Sequence, residues 1–384
     1  MILTTRIDRS QGPVIHLLIQ LTAPATHTRP PLNLAAIVDR SGSMHGPKLD
    51  HTKHALLFLV DQTAEADRLA IITYDDTVQT IHPSQPIPHK DPLKAKLARI
   101  DSGGMTNLSG GLATGMQQIA PHGGPDRLSR ALLMTDGLAN VGVTDPETLL
   151  TWVKTWRQRG LGLSTLGVGD DFNEDLLVAM AEAGGGNFHY IANPDQIPAI
   201  FAQELDGLLQ VAAQSIQLTI STEPGVAIDG GGTRVTLTLP DLYGGEVKSI
   251  LISLHVAALP PSGNLAKLTL SYIDTAPATL TAEVTTETTA DPAEVIRQLN
   301  LLEAATAREE AVQMADRGDL QGGARRLAQA AVAMEALAVE GDAYAAEQVA
   351  SLRTQAEALQ KEQYDKAARK QLRQDSFQAR RGRS

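Results

Sequence analysis

Two periodicities divide this chain. Between residues 33 and 213, short runs of apolar residues alternate with longer segments whose apolar positions recur every three or four residues. The runs lie at 33–38, 68–74, 129–135 and 161–168. Continuous apolar character predicts strands covered on both faces, as in a parallel sheet, and the amphipathic segments between them predict helices. Asp145-Pro146 opens one such segment, in which Leu149, Leu150, Val153 and Trp156 share a face and Gly160 is the stop. An acidic N-cap followed by proline suits a first helical turn, whose N–H groups have no partner within the helix. Asp91-Pro92 repeats that start, and Ile197, Ile200, Phe201, Leu205 and Leu208 place a further helix over 194–211. The alternation predicts a doubly wound α/β unit with a mostly parallel central sheet and helices on both sides.

The period then changes to two. Ile216, Leu218 and Ile220 alternate with polar residues, as do Val235, Leu237 and Leu239, then Ile250, Ile252 and Leu254, then Leu268, Leu270 and Tyr272. Turn signals such as DGGGT and PPSGN separate these runs, so residues 214–290 read as an antiparallel β-sandwich. Residues 1–30 show the same alternation at Ile15, Leu17, Ile19 and Leu21. They are expected to pair into the sandwich, which makes the α/β unit at 31–213 an insertion; the alternative is a hairpin on the α/β unit. Residues 291–375 are rich in Ala, Glu, Gln and Arg at helical spacing, with Gly318 and Gly341 as punctuation. That predicts three helices, near 292–317, 320–340 and 343–375, packed as a bundle. The stretch around 307–331 is similar to one helix–turn–helix of a tetratricopeptide repeat, but one copy cannot bury a repeat core. Residues 376–384 read as a basic, flexible tail.

Composition narrows the function classes. The chain has 384 residues, no cysteine and a net charge of -11. Disulfides, thiolate metal sites and cysteine nucleophiles are therefore excluded. Residues 361–384 carry eight Lys/Arg against three acids, so the rest of the chain is strongly acidic, which disfavours nucleic acid and anionic membranes as partners. No basic leader with a long apolar run opens the chain, and no apolar stretch approaches the ~18 residues of a membrane span. The expected location is the cytoplasm.

Candidate chemistry begins where the first apolar run ends, at Asp39-Arg40-Ser41-Gly42-Ser43. Taken alone, this is a polar turn, a serine nucleophile or part of a metal site. Ligands of open α/β sheets bind beyond the carboxyl ends of the strands, where strand order reverses. Two further polar elements are expected at that edge: the Gly-rich loop SGGMTN, which carries Thr106, and Asp136, which follows the strand LLMT. Asp39, Ser41, Ser43, Thr106 and Asp136 are all hard oxygen donors. Two carboxylates are too few for a rigid calcium cage; with hydroxyls and water they suit octahedral Mg²⁺ or Mn²⁺. A serine hydrolase lacks its G-x-S-x-G elbow here. His45, His51 and His54 lie near in sequence, but His51 and His54 fall on a helix. The acidic stretch 169–175 reads as caps for the next helix before it reads as a calcium site, and Gly184-Gly185-Gly186 reads as a helix stop before a strand.

On these motifs the chain resembles the von Willebrand factor type A (VWA) domains of bacterial type, which share their fold with integrin I domains. The D-x-S-x-S at 39–43, Thr106 and Asp136-Gly137 match the metal-ion-dependent adhesion site (MIDAS) of that family, in order and on the expected elements. The resemblance implies a Rossmann-like VWA fold. It also implies coordination of Mg²⁺ or Mn²⁺ by the hydroxyls of Ser41, Ser43 and Thr106, with Asp39 and Asp136 acting largely through water. The implied function is non-enzymatic: an adaptor or scaffold that binds a protein ligand through its Asp, Glu or C-terminal carboxylate. A MoxR-type AAA+ ATPase is one partner that bacterial relatives suggest. The rival readings are a metal-assisted hydrolase or phosphatase at the same site, and a helical scaffold with a vestigial metal site.

Overall fold

The computed structural model describes residues 1–11, 13–25, 30–274, 276–339 and 341–381. The elements follow in the order β1 (Ile2–Gln11), β2 (Val14–Thr22), β3 (Leu32–Asp39), α1 (Pro47–Gln62), β4 (Arg68–Tyr74), β5 (Val78–Gln85), α2 (Lys90–Leu97), α3 (Leu108–Ile119), β6 (Leu128–Thr135), α4 (Pro146–Gln158), β7 (Leu161–Val168), α5 (Glu174–Gly184), β8 (Gly185–Ile191) and α6 (Ile197–Leu209). Then come β9 (Val211–Thr222), β10 (Val226–Ile228), β11 (Arg234–Thr238), β12 (Leu242–Tyr243), β13 (Val247–Val256), β14 (Asn264–Ile273) and β15 (Pro277–Thr285). Four helices follow: α7 (Pro292–Asp316), α8 (Leu320–Val339), α9 (Ala343–Gln360) and α10 (Lys366–Arg381). The chain divides into two compact units, one holding β3 to α6 and the other holding β1, β2 and β10 to α10, with β9 as the passage between them.

In the α/β unit the strand order is β5-β4-β3-β6-β7-β8. All pairs are parallel except β4–β5. Every residue of β3, β6, β7 and β8 is buried, as strands covered on both faces must be. Ala35, Ile37, Ala131, Leu133 and Leu163 turn one way and pack with apolar residues of α3, α4 and α5. On the other face, Thr52 of α1 reaches Met134 Sδ of β6 at 3.2 Å, and Glu204 of α6 reaches β7 and β8. From β3 the chain winds outward to β4 and β5, then returns past β3 to continue through β6, β7 and β8. Strand order therefore reverses between β3 and β6, and their carboxyl ends form the crevice of the sheet.

Two glycines let α3 lie close to this sheet. A Cβ at Gly111 would sit 2.4 Å from Tyr74 Cδ1, and one at Gly115 would sit 2.3 Å from Ile37 Cδ1. That close approach holds the N-terminus of α3 at the edge where β3 and β4 end. α4 begins as the sequence predicts, with Asp145 accepting from Thr148 N at 2.8 Å. α2 differs by two residues, with His89 rather than Asp91 before its first turn.

In the second unit, β2 pairs antiparallel with both β1 and β13, in a four-stranded sheet ordered β1-β2-β13-β10. The N-terminal segment thus joins this sheet and is not a hairpin on the α/β unit. The second sheet has the order β11-β9-β14-β15, with β12 also pairing β9. Ile216, Leu218 and Ile220 of β9 and Leu268 and Leu270 of β14 are fully buried, as their alternation requires. The helices α7 to α10 share a core of alanine and leucine residues, including Ala311, Leu327, Ala331, Leu352 and Leu372.

The expected third C-terminal helix is two. Glu362 adopts the left-handed region (φ 58°), which ends α9, and Asp365 restarts the helix by accepting from Ala368 N at 2.9 Å. Nor do residues 376–381 form a tail: α10 continues to Arg381 and buries Phe377, while Ser376 Oγ donates to Ala305 O of α7 at 3.0 Å. Its basic residues serve that packing, with Arg369 paired to Asp316 at 3.0 Å and Arg380 to Glu309 at 2.7 Å. Residues 382–384 lie outside the described set. No described helix is long and apolar enough to cross a membrane.

The α/β unit also buries a carboxylate. Glu204 of α6 accepts from Ser164 Oγ at 2.5 Å and Asn187 Nδ2 at 2.6 Å, and His189 Nε2 lies 3.0 Å from its Oε2. Burial alone would raise its pKa, but these bonds and the charges of His189 and Arg130 outweigh burial and hold it below the ordinary carboxylate range. A depressed native pKa contributes stability above the unfolded value of about 4.3, and that stability is lost as pH falls beneath it. Glu204→Ala is expected to cost about 3–5 kcal/mol, because it strands the groups that faced the carboxylate. Denaturant melts at neutral and acid pH check both points: the wild type should lose more stability on acidification than Glu204→Gln, and parallel losses would refute the assignment.

Candidate functional site

The end of β3 is fixed by its own last residue. Asp39 is fully buried; its Oδ1 accepts from Ser41 N at 2.8 Å and its Oδ2 from Thr135 Oγ1 at 2.7 Å. The first bond turns the chain out of the sheet, and the second ties β3 to the end of β6. Ser41 then opens a short 3-10 turn over Gly42–Met44. Its hydroxyl lies 3.2 Å from Ser43 Oγ, and Ser43 Oγ donates to Asp136 Oδ1 at 2.7 Å. The other oxygen of Asp136 accepts from Lys48 Nζ of α1 at 2.5 Å.

Thr106 arrives from the opposite side on a laced loop. Gly42 N donates to Gly104 O at 3.1 Å, and Gly103 N to Arg40 O at 2.8 Å. Gly104 takes a φ of 70°, which favours glycine there. Asn140 grips Thr106 twice: its Oδ1 accepts from Thr106 N at 2.8 Å, and its N donates to Thr106 O at 3.1 Å. Asn107 caps α3 by accepting from Gly110 N at 2.9 Å. A Cβ at Gly137 would stand 3.7 Å from Thr106 Oγ1 and 3.8 Å from Ser43 Oγ, so both hydroxyls border the same small space. The five residues singled out in the sequence thus meet at one sheet edge.

The electrostatics are those of two buried carboxylates close together. Burial pushes the Asp39 carboxyl up to about 6, against the bonds from Ser41 and Thr135, and the charge of Asp136 adds to the rise. Burial and then Asp39 also raise the Tyr74 hydroxyl, which donates to Met134 O at 3.1 Å. Lys48 supplies the positive charge at Asp136. Among the described residues no group of three or more His, Asp or Glu is arranged for a metal. The donor set is hydroxyl-rich with two acids, which suits a divalent cation that keeps part of its water better than it suits a calcium cage.

The remaining candidates sit elsewhere. His51 pairs with Asp195 at 2.8 Å and stacks edge-on with His54, while His45 Nδ1 lies 3.2 Å from Ser102 Oγ. In the acidic stretch, Asn173 is the residue that caps α5, accepting from Leu176 N at 3.0 Å, and Asp170 accepts from Tyr190 OH at 2.7 Å. Gly185 ends α5 with a φ of 66°. Sequence reasoning missed Lys48, Thr135 and Asn140. Thr135 stands beside Asp136 and could have been suspected; Lys48 and Asn140 act through tertiary placement alone.

Residues 33–203 match the family model of the von Willebrand factor type A domain. The α/β unit is a von Willebrand factor type A domain. An uncharacterized protein of Escherichia coli (strain K12), YfbK, is 34% identical over 197 residues, which are 51% of this chain and 34% of that protein. The uncharacterized protein sll0103 of Synechocystis is 29% identical over 65% of this chain and 63% of its own length. The chain thus spans about a third and under two thirds, respectively, of the two relatives' lengths. A solved structure described as von Willebrand factor type A from Catenulispora acidiphila shares the fold at a TM-score of 0.70 and 19% identity, covering 94% of this chain and 92% of its own. That coverage reaches past the VWA domain into the antiparallel sheets and helices.

Asn140→Ala is expected to free the Thr106 loop of the VWA domain and to cost about 1–2 kcal/mol for the unsatisfied Thr106 amide. Amide exchange should speed up at residues 103–107 before the sheet responds. Unchanged protection at those amides would show that Asn140 does not hold the loop.

Proposed function

We propose that this protein is a divalent-metal-dependent protein-binding module, an adaptor or scaffold whose VWA domain holds Mg²⁺ or Mn²⁺ in a MIDAS. The observation that carries this reading is the meeting of Ser41, Ser43 and Thr106 hydroxyls with only two carboxylates at the β3–β6 crevice. Ser41, Ser43 and Thr106 would hold the ion directly, and Asp39 and Asp136 through water. A cation with mostly neutral ligands stays electrophilic and offers an open position to a partner's Asp, Glu or C-terminal carboxylate. Both oxygens of Asp39 are engaged by Ser41 and Thr135, which leaves it poorly placed as the general base that a hydrolase would need.

Lys48 makes the reading testable from the opposite direction. Its ammonium sits at Asp136, where the positive charge of the ion is wanted. Calorimetric titration with Mg²⁺ and Mn²⁺ is expected to show one site in the wild type and none in Ser43→Ala or Asp136→Ala. Lys48→Ala should bind the ion on the order of tenfold more tightly, because a like charge a few ångströms away has been removed. Affinity capture in Mg²⁺, set against EDTA and against Ser43→Ala, should return a partner only with the ion and the intact site. Absence of ion binding, or binding indifferent to Asp136, would replace this reading with a scaffold bearing a vestigial site. Turnover of phosphate esters that disappears in Asp39→Ala would replace it with a hydrolase.

A further inference from the structure

A second concavity of the VWA domain lies between the β4–β5 edge and the end of α2. It has a volume of about 360 Å³, and its polar lining is Arg40, Thr73, Gln79, Thr80, Lys96 and Arg99. Three of these six are cations. They come from separate elements: Arg40 from the loop after β3, and Lys96 and Arg99 from the last turn of α2 and its exit. Among the described residues, Lys96 and Arg99 are exposed and form no ion pair. Arg40 is largely committed: its Nη2 pairs with Asp75 at 2.7 Å and reaches Thr77 Oγ1 at 3.5 Å, and its Nη1 donates to Asp101 O at 3.3 Å, but its Nε is buried with no hydrogen-bond partner.

The floor carries a stronger sign. Thr73 is fully buried, lines the cavity, and its hydroxyl has no hydrogen-bond partner. A buried hydroxyl left unpaired is costly, and native structures rarely keep one without a water or ligand to meet it. The positive field of the pocket reaches its neighbour: His82 is lowered from its ordinary pKa by burial and then by the charge of Lys96. Asp75 offsets one of the three cations, so the lining keeps an excess of positive charge beside its hydroxyl and amide donors. A carboxylate presents two oxygens in a plane. A tetrahedral oxyanion presents up to four, which suits donors drawn from three separate segments, and guanidinium groups are its usual partners.

We propose that this cavity binds a phosphate-type oxyanion, with Thr73 donating from the floor and Arg40, Lys96 and Arg99 around the rim. The anion is free phosphate or the phosphoryl group of a small monoester, for which the volume leaves room. The site stands apart from the metal reading: it shares a loop with Ser41 but uses none of the five residues at the crevice.

The test is calorimetric titration of the full chain at constant ionic strength, in EDTA so that phosphate held by a metal ion is not counted. Inorganic phosphate is one arm and glycerol phosphate the other; the tighter of the two identifies the free ion or the ester as the ligand. Saturable binding is expected in the wild type, weakened at least tenfold in the Lys96→Ala/Arg99→Ala double variant, whose changes are exposed and leave the core untouched. Thr73→Val, nearly isosteric, should weaken it several-fold. Ser43→Ala should bind phosphate like the wild type even if it abolishes binding of Mg²⁺, which separates failure of this proposal from failure of the metal reading. No saturable response in the wild type, or equal affinity in the double variant, would overturn it.

Discussion

Everything at the functional edge depends on the two oxygens of one carboxylate. Asp39 is the last residue of β3, and it holds Ser41 N with one oxygen and Thr135 Oγ1 with the other. The first contact sets the path of the 41–44 turn. The second fastens that turn to the strand whose next residue is Asp136. Because β3 and β6 are neighbours across the point where strand order reverses, a single side chain spans the crevice and fixes both walls. A carboxylate does this better than an amide, since both oxygens accept, and charge-assisted bonds are stronger than neutral ones.

The other wall is set by the absence of side chains. Gly111 and Gly115 bring α3 against Tyr74 and Ile37 at distances that a methyl group would forbid. Asn107 caps that helix, and Asn140 holds the residue before it. Thr106 is therefore positioned by close packing and backbone bonds and not by contacts of its own hydroxyl. Preorganisation of this kind leaves the hydroxyl available for a ligand.

Much of this was legible in the sequence. The continuous apolar runs of β3, β6 and β7 could only be doubly covered strands, and the polar residues that interrupt them had to stand at the sheet edge. The alternation in β2 and β9 showed a different kind of sheet. What stayed hidden depended on tertiary placement. The pattern of β5 is weak because it is an edge strand, half exposed and holding Pro83. The basic composition of 376–384 suggested a flexible tail, while Phe377 anchors residues 376–381 in a helix. Asn140 lies more than thirty residues from the loop it grips, and no spacing rule links the two. The break at Glu362 has no glycine to announce it.

Lys48 gives the crevice a property of a different kind. Asp39 is satisfied by a backbone amide and a threonine, and Asp136 by a serine and an ammonium group. Neither buried charge waits for an ion before the chain can fold, unlike structural metal sites, where binding energy is folding energy. On the metal-site reading proposed above, assembly and ion loading would be separate events. On that reading the chain would fold whatever the supply of divalent cations, and occupancy of the crevice would report that supply instead of folding.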